Sequence, residues 1–112
     1  MSKTIKIAVD AMGGDNSPKK IIDGISHHYK SNVNTYYQIF GDKEKIQNHI
    51  NDQLPTSSFE IIHTKDVVKG TDSPLEGAKR GKNTSVWLAI QSVKEKKSDI
   101  VISAGNTGAL LV

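Results

Sequence analysis

The sequence contains no cysteine, which excludes a disulfide scaffold, a thiolate zinc site and a cysteine nucleophile in these residues. It has no apolar run near the roughly 20 residues that cross a bilayer as a helix. The opening Met1-Ser2-Lys3-Thr4-Ile5-Lys6 also lacks the apolar stretch that follows the charges of a secretory signal. A soluble, cytoplasmic protein is therefore expected. Arginine is nearly missing: Arg80 stands alone among 15 basic side chains, which face 12 carboxylates for a net charge of +3. Aromatics are scarce at 5%, so the basic surface interleaved with stacking rings that nucleic-acid binders use is not evident. The densest basic run, Lys94-Glu95-Lys96-Lys97, falls where a helix should end, and cations there are explained by the helix dipole. No nucleic-acid partner is expected.

What is present is a globular composition. Of 112 residues, 36% are apolar and 24% charged, with Ile, Val and Leu spread along the chain, which excludes a disordered tail, a collagen and a coiled coil. The length suffices for one small domain or a piece of one.

Apolar periodicity predicts strands alternating with helices. Residues 4–9 form a short apolar run closed by Asp10-Ala11-Met12-Gly13-Gly14-Asp15. Ser17 then supplies a candidate N-cap with Pro18 at the first helical position, and Ile21, Ile22, Ile25 and Tyr29 recur on one helical face. Residues 36–40 are a second strand, closed by Gly41-Asp42, and Asp42 caps a short helix carrying Ile46 and Ile50. Residues 59–63 are a third strand. A polar connection over 64–73 and a helical turn or two over 74–80 follow, and Asn83 or Thr84 caps a helix with Val86, Ala89, Ile90 and Val93 on one face. Residues 99–102 are a fourth strand, apolar on both faces as a central parallel strand is, running into Ser103-Ala104-Gly105-Asn106-Thr107-Gly108. Residues 109–112 open another helix. This order predicts an α/β fold with a doubly wound, mostly parallel sheet. A final helix of about one turn cannot cover a sheet face, so residues 1–112 are expected to be the N-terminal part of a single larger domain.

In such a sheet, ligands bind beyond the carboxyl ends of the strands. Two of the loops there are glycine-rich, one with Gly13 and Gly14, the other with Gly105 and Gly108. Each precedes a helix, whose free N–H groups suit a phosphate or a developing oxyanion. The alternative is that these glycines only make tight turns. Neither loop matches G-x-G-x-x-G, no segment reads as a P-loop, and no G-x-S-x-G surrounds Ser103. Asp10 and Asp15 flank the first loop and fit either acid/base or cation-holding work, or, for Asp10, bonding of amides in its own turn. Arg80, Lys82, Thr84 and Ser85 have the guanidinium, ammonium and hydroxyl groups of an anion site, or of a solvated turn. Trp87 reads as core or interface. His27, His28 and His49 fall in helices without zinc-ligand spacing, whereas His63 ends a strand on the ligand side. No metal site is assigned.

The two loops have a recognisable wording. Ile7-Ala8-Val9-Asp10-Ala11-Met12-Gly13-Gly14-Asp15 followed by Pro18, and Val101-Ile102-Ser103-Ala104-Gly105-Asn106-Thr107-Gly108-Ala109-Leu110, closely resemble the signature segments of the PlsX family of bacterial phosphate acyltransferases. Phe40-Gly41-Asp42 and the series Asp72, Pro74, Ala78, Arg80, Lys82 and Ser85 resemble its intervening motifs. There are departures: Gly81 stands where that family commonly has lysine, and Asn83-Thr84 where it commonly has Asp-Ser.

The resemblance implies a fold like those of phosphotransacetylases and isocitrate and isopropylmalate dehydrogenases, and a cytoplasmic homodimer with peripheral membrane association. The implied reaction is reversible transfer of a fatty acyl group from acyl carrier protein to inorganic phosphate, with no cofactor. Its acyl phosphate feeds phospholipid synthesis through a membrane glycerol-phosphate acyltransferase. On that reading Asn106 donates to the oxyanion, and substrate is held by Asp10, Gly13, Gly14, Asp15, Arg80, Lys82, Ser85, Ser103, Gly105, Thr107 and Gly108. Two rival readings stand beside it: an acyl-CoA-using, phosphotransacetylase-like enzyme, and a non-catalytic phosphate- or nucleotide-binding module.

Overall fold

A computed structural model describes residues 4–12, 17–51, 53–64 and 84–103. The chain runs β1 (Ile5–Asp10), α1 (Lys19–Ser31), β2 (Thr35–Gly41), α2 (Lys43–Ile50), a 3-10 turn (Thr56–Ser58), β3 (Phe59–His63), α3 (Ser85–Lys94) and β4 (Ile100–Ser103). All strand pairings are parallel, in the order β3-β2-β1-β4.

Alternation along the strands sorts side chains between two cores. Ile7 and Val9 of β1, with Tyr37 and Ile39 of β2, face one side and pack against Ile22 and Ile25 of α1 and Ile46 and Ile50 of α2. Ala8 and Phe40 face the other side and meet Ala89 of α3, with Ile62, Leu88 and Val93 packed around them. Helices thus lie on both faces, as the alternating pattern predicts. The chain steps from β1 out to β2 and β3, then crosses back through α3 to the far side of β1. The direction of winding therefore reverses between β1 and β4, and their carboxyl ends form the crevice where open α/β sheets take ligands.

Helix ends follow from local chemistry. Asp42 caps α2, its Oδ1 accepting from the backbone N–H groups of Glu44 and Lys45. Thr84, rather than Asn83, caps α3, its Oγ1 accepting from Trp87 N–H at 3.2 Å. α3 stops at Lys94, and Lys97 pairs with Glu95 at 3.3 Å beyond it. The start of α1 differs from the expected pattern: Pro18 itself is the N-cap residue, with no side-chain cap, and the helix begins at Lys19. The Ser17–Pro18 peptide is cis.

The buried face of α3 also differs. It consists of Ser85, Val86, Ala89 and Ser92, with Ile90 and Val93 half-buried. Ser92 belongs inside because its Oγ lies 2.6 Å from Ser98 Oγ, which in turn donates to Gln38 Oε1 on β2. That chain of hydroxyls, with Lys6 N–H donating to Asp99 Oδ2 at 2.8 Å, ties the α3–β4 turn to the sheet. β4 is the last strand of the described sheet, paired with β1 alone. The expected central strand covered on both faces is not seen there: Ile100, Val101 and Ile102 are 49%, 36% and 39% exposed.

Candidate functional site

At the carboxyl end of β1, Asp10 is 1% exposed. Its partner in the parallel register is Ser103, the last residue of β4. Neighbours in parallel register point to the same face, and Ser103 Oγ donates to Asp10 Oδ2 at 2.7 Å. The same face carries α3, whose first residue, Ser85, donates its hydroxyl to Asp10 Oδ1 at 2.5 Å. Met12 N–H donates to Oδ1 as well, at 3.1 Å, the own-turn amide bond that the sequence left open for Asp10. One buried carboxylate therefore joins the ends of β1 and β4 to the start of α3.

Burying a carboxylate is costly unless it is hydrogen-bonded, and here the cost is offset by charge-assisted bonds and by the positive end of the α3 dipole. A carboxylate only accepts, and a serine hydroxyl has one proton. Both serines donate that proton to Asp10. Ser85 is buried, whereas Ser103 is half-buried.

Among the candidate residues, Asp10, Ser85 and Ser103 are thus brought together at the winding reversal. Gly13, Gly14, Asp15, Arg80, Lys82, Gly105, Asn106, Thr107 and Gly108 lie outside the described residues, as do the stretches 65–83 and 104–112. Ala11 and Met12 lead from β1 over the end of β2, where Ala11 N–H donates to Phe40 O at 3.1 Å. A Cβ on Gly41 would lie 2.6 Å from Met12 Cγ, so the glycine lets that crossing pass close to β2. Trp87 is half-buried on α3.

His63, at the carboxyl end of β3, accepts Lys43 N–H on its Nδ1 at 3.1 Å. Lys43 is the first residue of α2, so the imidazole satisfies one of the free amides of that helix start and sits three strands from Ser103. The structure gives His63 this capping work, apart from the Asp10 cluster. His27 and His28 are exposed and His49 half-buried. Among the described residues, no group of three or more His, Asp or Glu side chains could hold a metal ion.

Comparison with known proteins adds to this geometry. Residues 5–112 match the family described as "Fatty acid synthesis protein". The chain is 93% identical over all its 112 residues to a phosphate acyltransferase of Pelagibacter ubique, covering 33% of that protein. It is 44% identical over 106 residues to a phosphate acyltransferase of Streptococcus uberis, covering 95% of this chain and 31% of the relative. A phosphate acyltransferase of Streptococcus pyogenes is 42% identical over 106 residues. The chain spans about a third of the length of these curated relatives.

Proposed function

Since the chain belongs to the family described as "Fatty acid synthesis protein", we propose that it serves a phosphate acyltransferase, as the N-terminal third of one α/β domain. The donor in this proposal is a fatty acyl thioester of acyl carrier protein, and the acceptor is inorganic phosphate. A phosphate oxygen attacks the thioester carbonyl, a C–O bond forms and the C–S bond breaks. The proton carried by hydrogen phosphate ends on the departing sulfur. Products are acyl phosphate and free carrier protein, and the same steps run in reverse.

Phosphate is itself the nucleophile, so no covalent enzyme intermediate is needed. The work is to hold two anionic partners together and to stabilise a transient oxyanion. Asn106 is the proposed oxyanion donor, within the Gly105-Asn106-Thr107-Gly108 loop that follows β4. Arg80 and Lys82 add positive charge ahead of α3, and Gly13, Gly14 and Asp15 form the wall beyond β1. Asp10, Ser85 and Ser103 hold together the ends of β1 and β4 and the start of α3, which these segments adjoin in the sequence. The observation that carries the reading is the likeness to phosphate acyltransferases along the whole chain, joined to a buried polar cluster at the reversal point of the sheet.

The proposed setting is a cytoplasmic homodimer with peripheral membrane association, supplying acyl phosphate to a membrane glycerol-phosphate acyltransferase. No helix among the described residues is long and apolar enough to cross a membrane. The test is an assay of the complete product of the reading frame with acyl-carrier-protein and acyl-CoA thioesters side by side. Phosphate-dependent acyl phosphate from the carrier-protein thioester is expected, at a kcat/KM at least ten times that for CoA. Equal or better use of CoA would favour the phosphotransacetylase-like reading, and no product from either would favour a binding module.

A further inference from the structure

A glycine ends β2 at position 41, although the backbone there does not require one. Gly41 continues an extended strand in register with His63 of β3, a conformation open to any residue. What sets the position apart is the space around it. A Cβ there would lie 2.6 Å from Met12 Cγ, 3.0 Å from Met12 Sδ and 3.0 Å from Ile46 Cδ1 on α2. Met12 therefore seats its side chain on the bare backbone at the end of β2, beside Ile46, while its amide donates to Asp10 Oδ1 at 3.1 Å. One residue thus links the end of β2 to the buried carboxylate.

We propose that Gly41 is a positioning residue of the phosphate crevice, acting through Met12: the missing side chain gives Met12 the seat that sets where the chain leaves β1. This inference rests on the phosphate acyltransferase reading for its ligand. Met12 immediately precedes Gly13, Gly14 and Asp15, the segment which that reading assigns to the wall beyond β1, so a displacement of Met12 passes along the chain. The sheet leaves the contact few ways to relax. Thr64 N–H donates to Gly41 O at 2.9 Å and Ala11 N–H to Phe40 O at 3.1 Å, so the end of β2 is bonded on both flanks. Carbon atoms pack at about 3.5–4.0 Å, which leaves a Cβ at position 41 roughly 1 Å too close to Met12 Cγ. Cγ is one bond from Met12 Cβ, so it moves only by turning χ1 or by lifting the backbone. Either takes the side chain off its seat and removes the restraint on the amide bonded to Asp10.

Gly41→Ala supplies the missing methyl group, and Met12→Ala removes the Cγ and Sδ atoms it would strike. A double-mutant cycle over the two separates their coupling from a general loss of packing. If Gly41 serves the core alone, shortening Met12 removes further contacts and adds to the damage. If Gly41 acts through Met12, the shortening makes room for the methyl group.

The experiment measures inorganic phosphate binding by calorimetry, and the KM for phosphate in acyl phosphate formation, in the complete product of the reading frame. Gly41→Ala is expected to weaken phosphate binding about 10-fold, the value of one misplaced hydrogen bond to a charged ligand, and to raise the phosphate KM in step. In the Met12→Ala background the same substitution is expected to change affinity by no more than about twofold, the scatter of sites that do not interact. Ile46→Val, which removes the other atom near position 41, is expected to give no such relief. A folded Gly41→Ala protein with unchanged phosphate affinity would overturn the inference, as would a loss that persists beside Met12→Ala or is relieved by Ile46→Val instead. Should Gly41→Ala fail to fold, the double variant decides. Recovery of the fold, with phosphate affinity within about twofold of Met12→Ala alone, sustains the inference; a double variant that also fails to fold, or binds phosphate more weakly than that, overturns it. Weakened phosphate binding in Gly41→Ala, beside an unaltered protein without acyl transfer, would sustain the positioning role and remove the enzymatic reading. Acyl transfer with a phosphate affinity indifferent to Gly41 would do the reverse, so the two fail separately.

Discussion

Replacing Asp10 by alanine is expected to cost about 3–4 kcal/mol of stability, a large part of the ~5–15 kcal/mol that holds a typical domain together. The effect comes from what is left behind rather than from the methylene and carboxyl atoms removed. Ser85 is itself 1% exposed, so its hydroxyl loses its acceptor in a place water does not reach. The Ser103 hydroxyl and the Met12 amide lose theirs at the same time. Each stranded donor costs roughly 1–3 kcal/mol, reduced because Ser103 is half-buried and regains solvent. Asp10→Asn keeps one acceptor and is expected to cost about half as much. Urea unfolding with the two variants side by side checks this, and a loss below about 1 kcal/mol for Asp10→Ala would show that the cluster does not join β1, β4 and α3 as its bonds suggest.

Tyr37→Ala is expected to have the largest effect in the core, about 3–5 kcal/mol, the cost of truncating a buried aromatic. Tyr37 is fully buried between the sheet and α1, edge-on to Tyr29 with ring centroids 6.3 Å apart. Its hydroxyl lies 2.6 Å from His28 Nδ1 on α1. Tyr37→Phe keeps the ring and loses only that bond, for about 1 kcal/mol at neutral pH.

The two proteins should then diverge in alkali. Burial pushes the Tyr37 hydroxyl up from 10.0 to about 12. Its proton is held more tightly in the folded state, so the unfolded state ionises first as pH rises. The associated stability is complete below pH 10 and is lost progressively as pH rises through about 12. At about 1.4 kcal/mol per unit, up to roughly 2–3 kcal/mol of stability disappears over that window. Tyr37→Phe lacks this loss, so its stability should meet that of the unaltered protein within about one pH unit above 10 and exceed it from there to the top of the window. Parallel stability curves from pH 9 to 12 would contradict this burial of the tyrosine hydroxyl.

Much of this arrangement is legible in the sequence, because it depends on short-range chemistry. The third strand spans 59–63, the bounds its pattern predicts. β1 and β2 extend one residue past their apolar runs, to Asp10 and Gly41, since backbone pairing continues after the side chains cease to be apolar. Asp42 and Thr84 cap the helices they precede because capping needs only a side-chain oxygen two or three residues ahead of a free amide. Ile22, Ile25, Ile46 and Ile50 point inward as their spacing requires.

The parts that spacing does not reveal depend on register and on distant partners. Ser92 looks out of place on an apolar face until Ser98 and Gln38, the latter from another strand, are set beside it. His63 reads as a free strand-end imidazole, and only the approach of α2 gives its Nδ1 an amide. Asp10, Ser85 and Ser103 each stand out as candidates, but 75 and 93 residues separate the serines from the carboxylate. A one-residue slip of β4 would turn Ser103 to the opposite face, so no sequence pattern alone specifies the cluster.

The central claim is that the crevice between the carboxyl ends of β1 and β4 holds phosphate. It is tested most directly by titrating inorganic phosphate into the isotope-labelled, complete product of the reading frame and following backbone amide resonances. Saturable shifts centred on Ser85, Ser103 and Met12, with little change at Lys43 and His63 beside the far strand, are expected. Saturable binding whose shifts centre elsewhere, or no saturable binding at concentrations that support turnover, would contradict it.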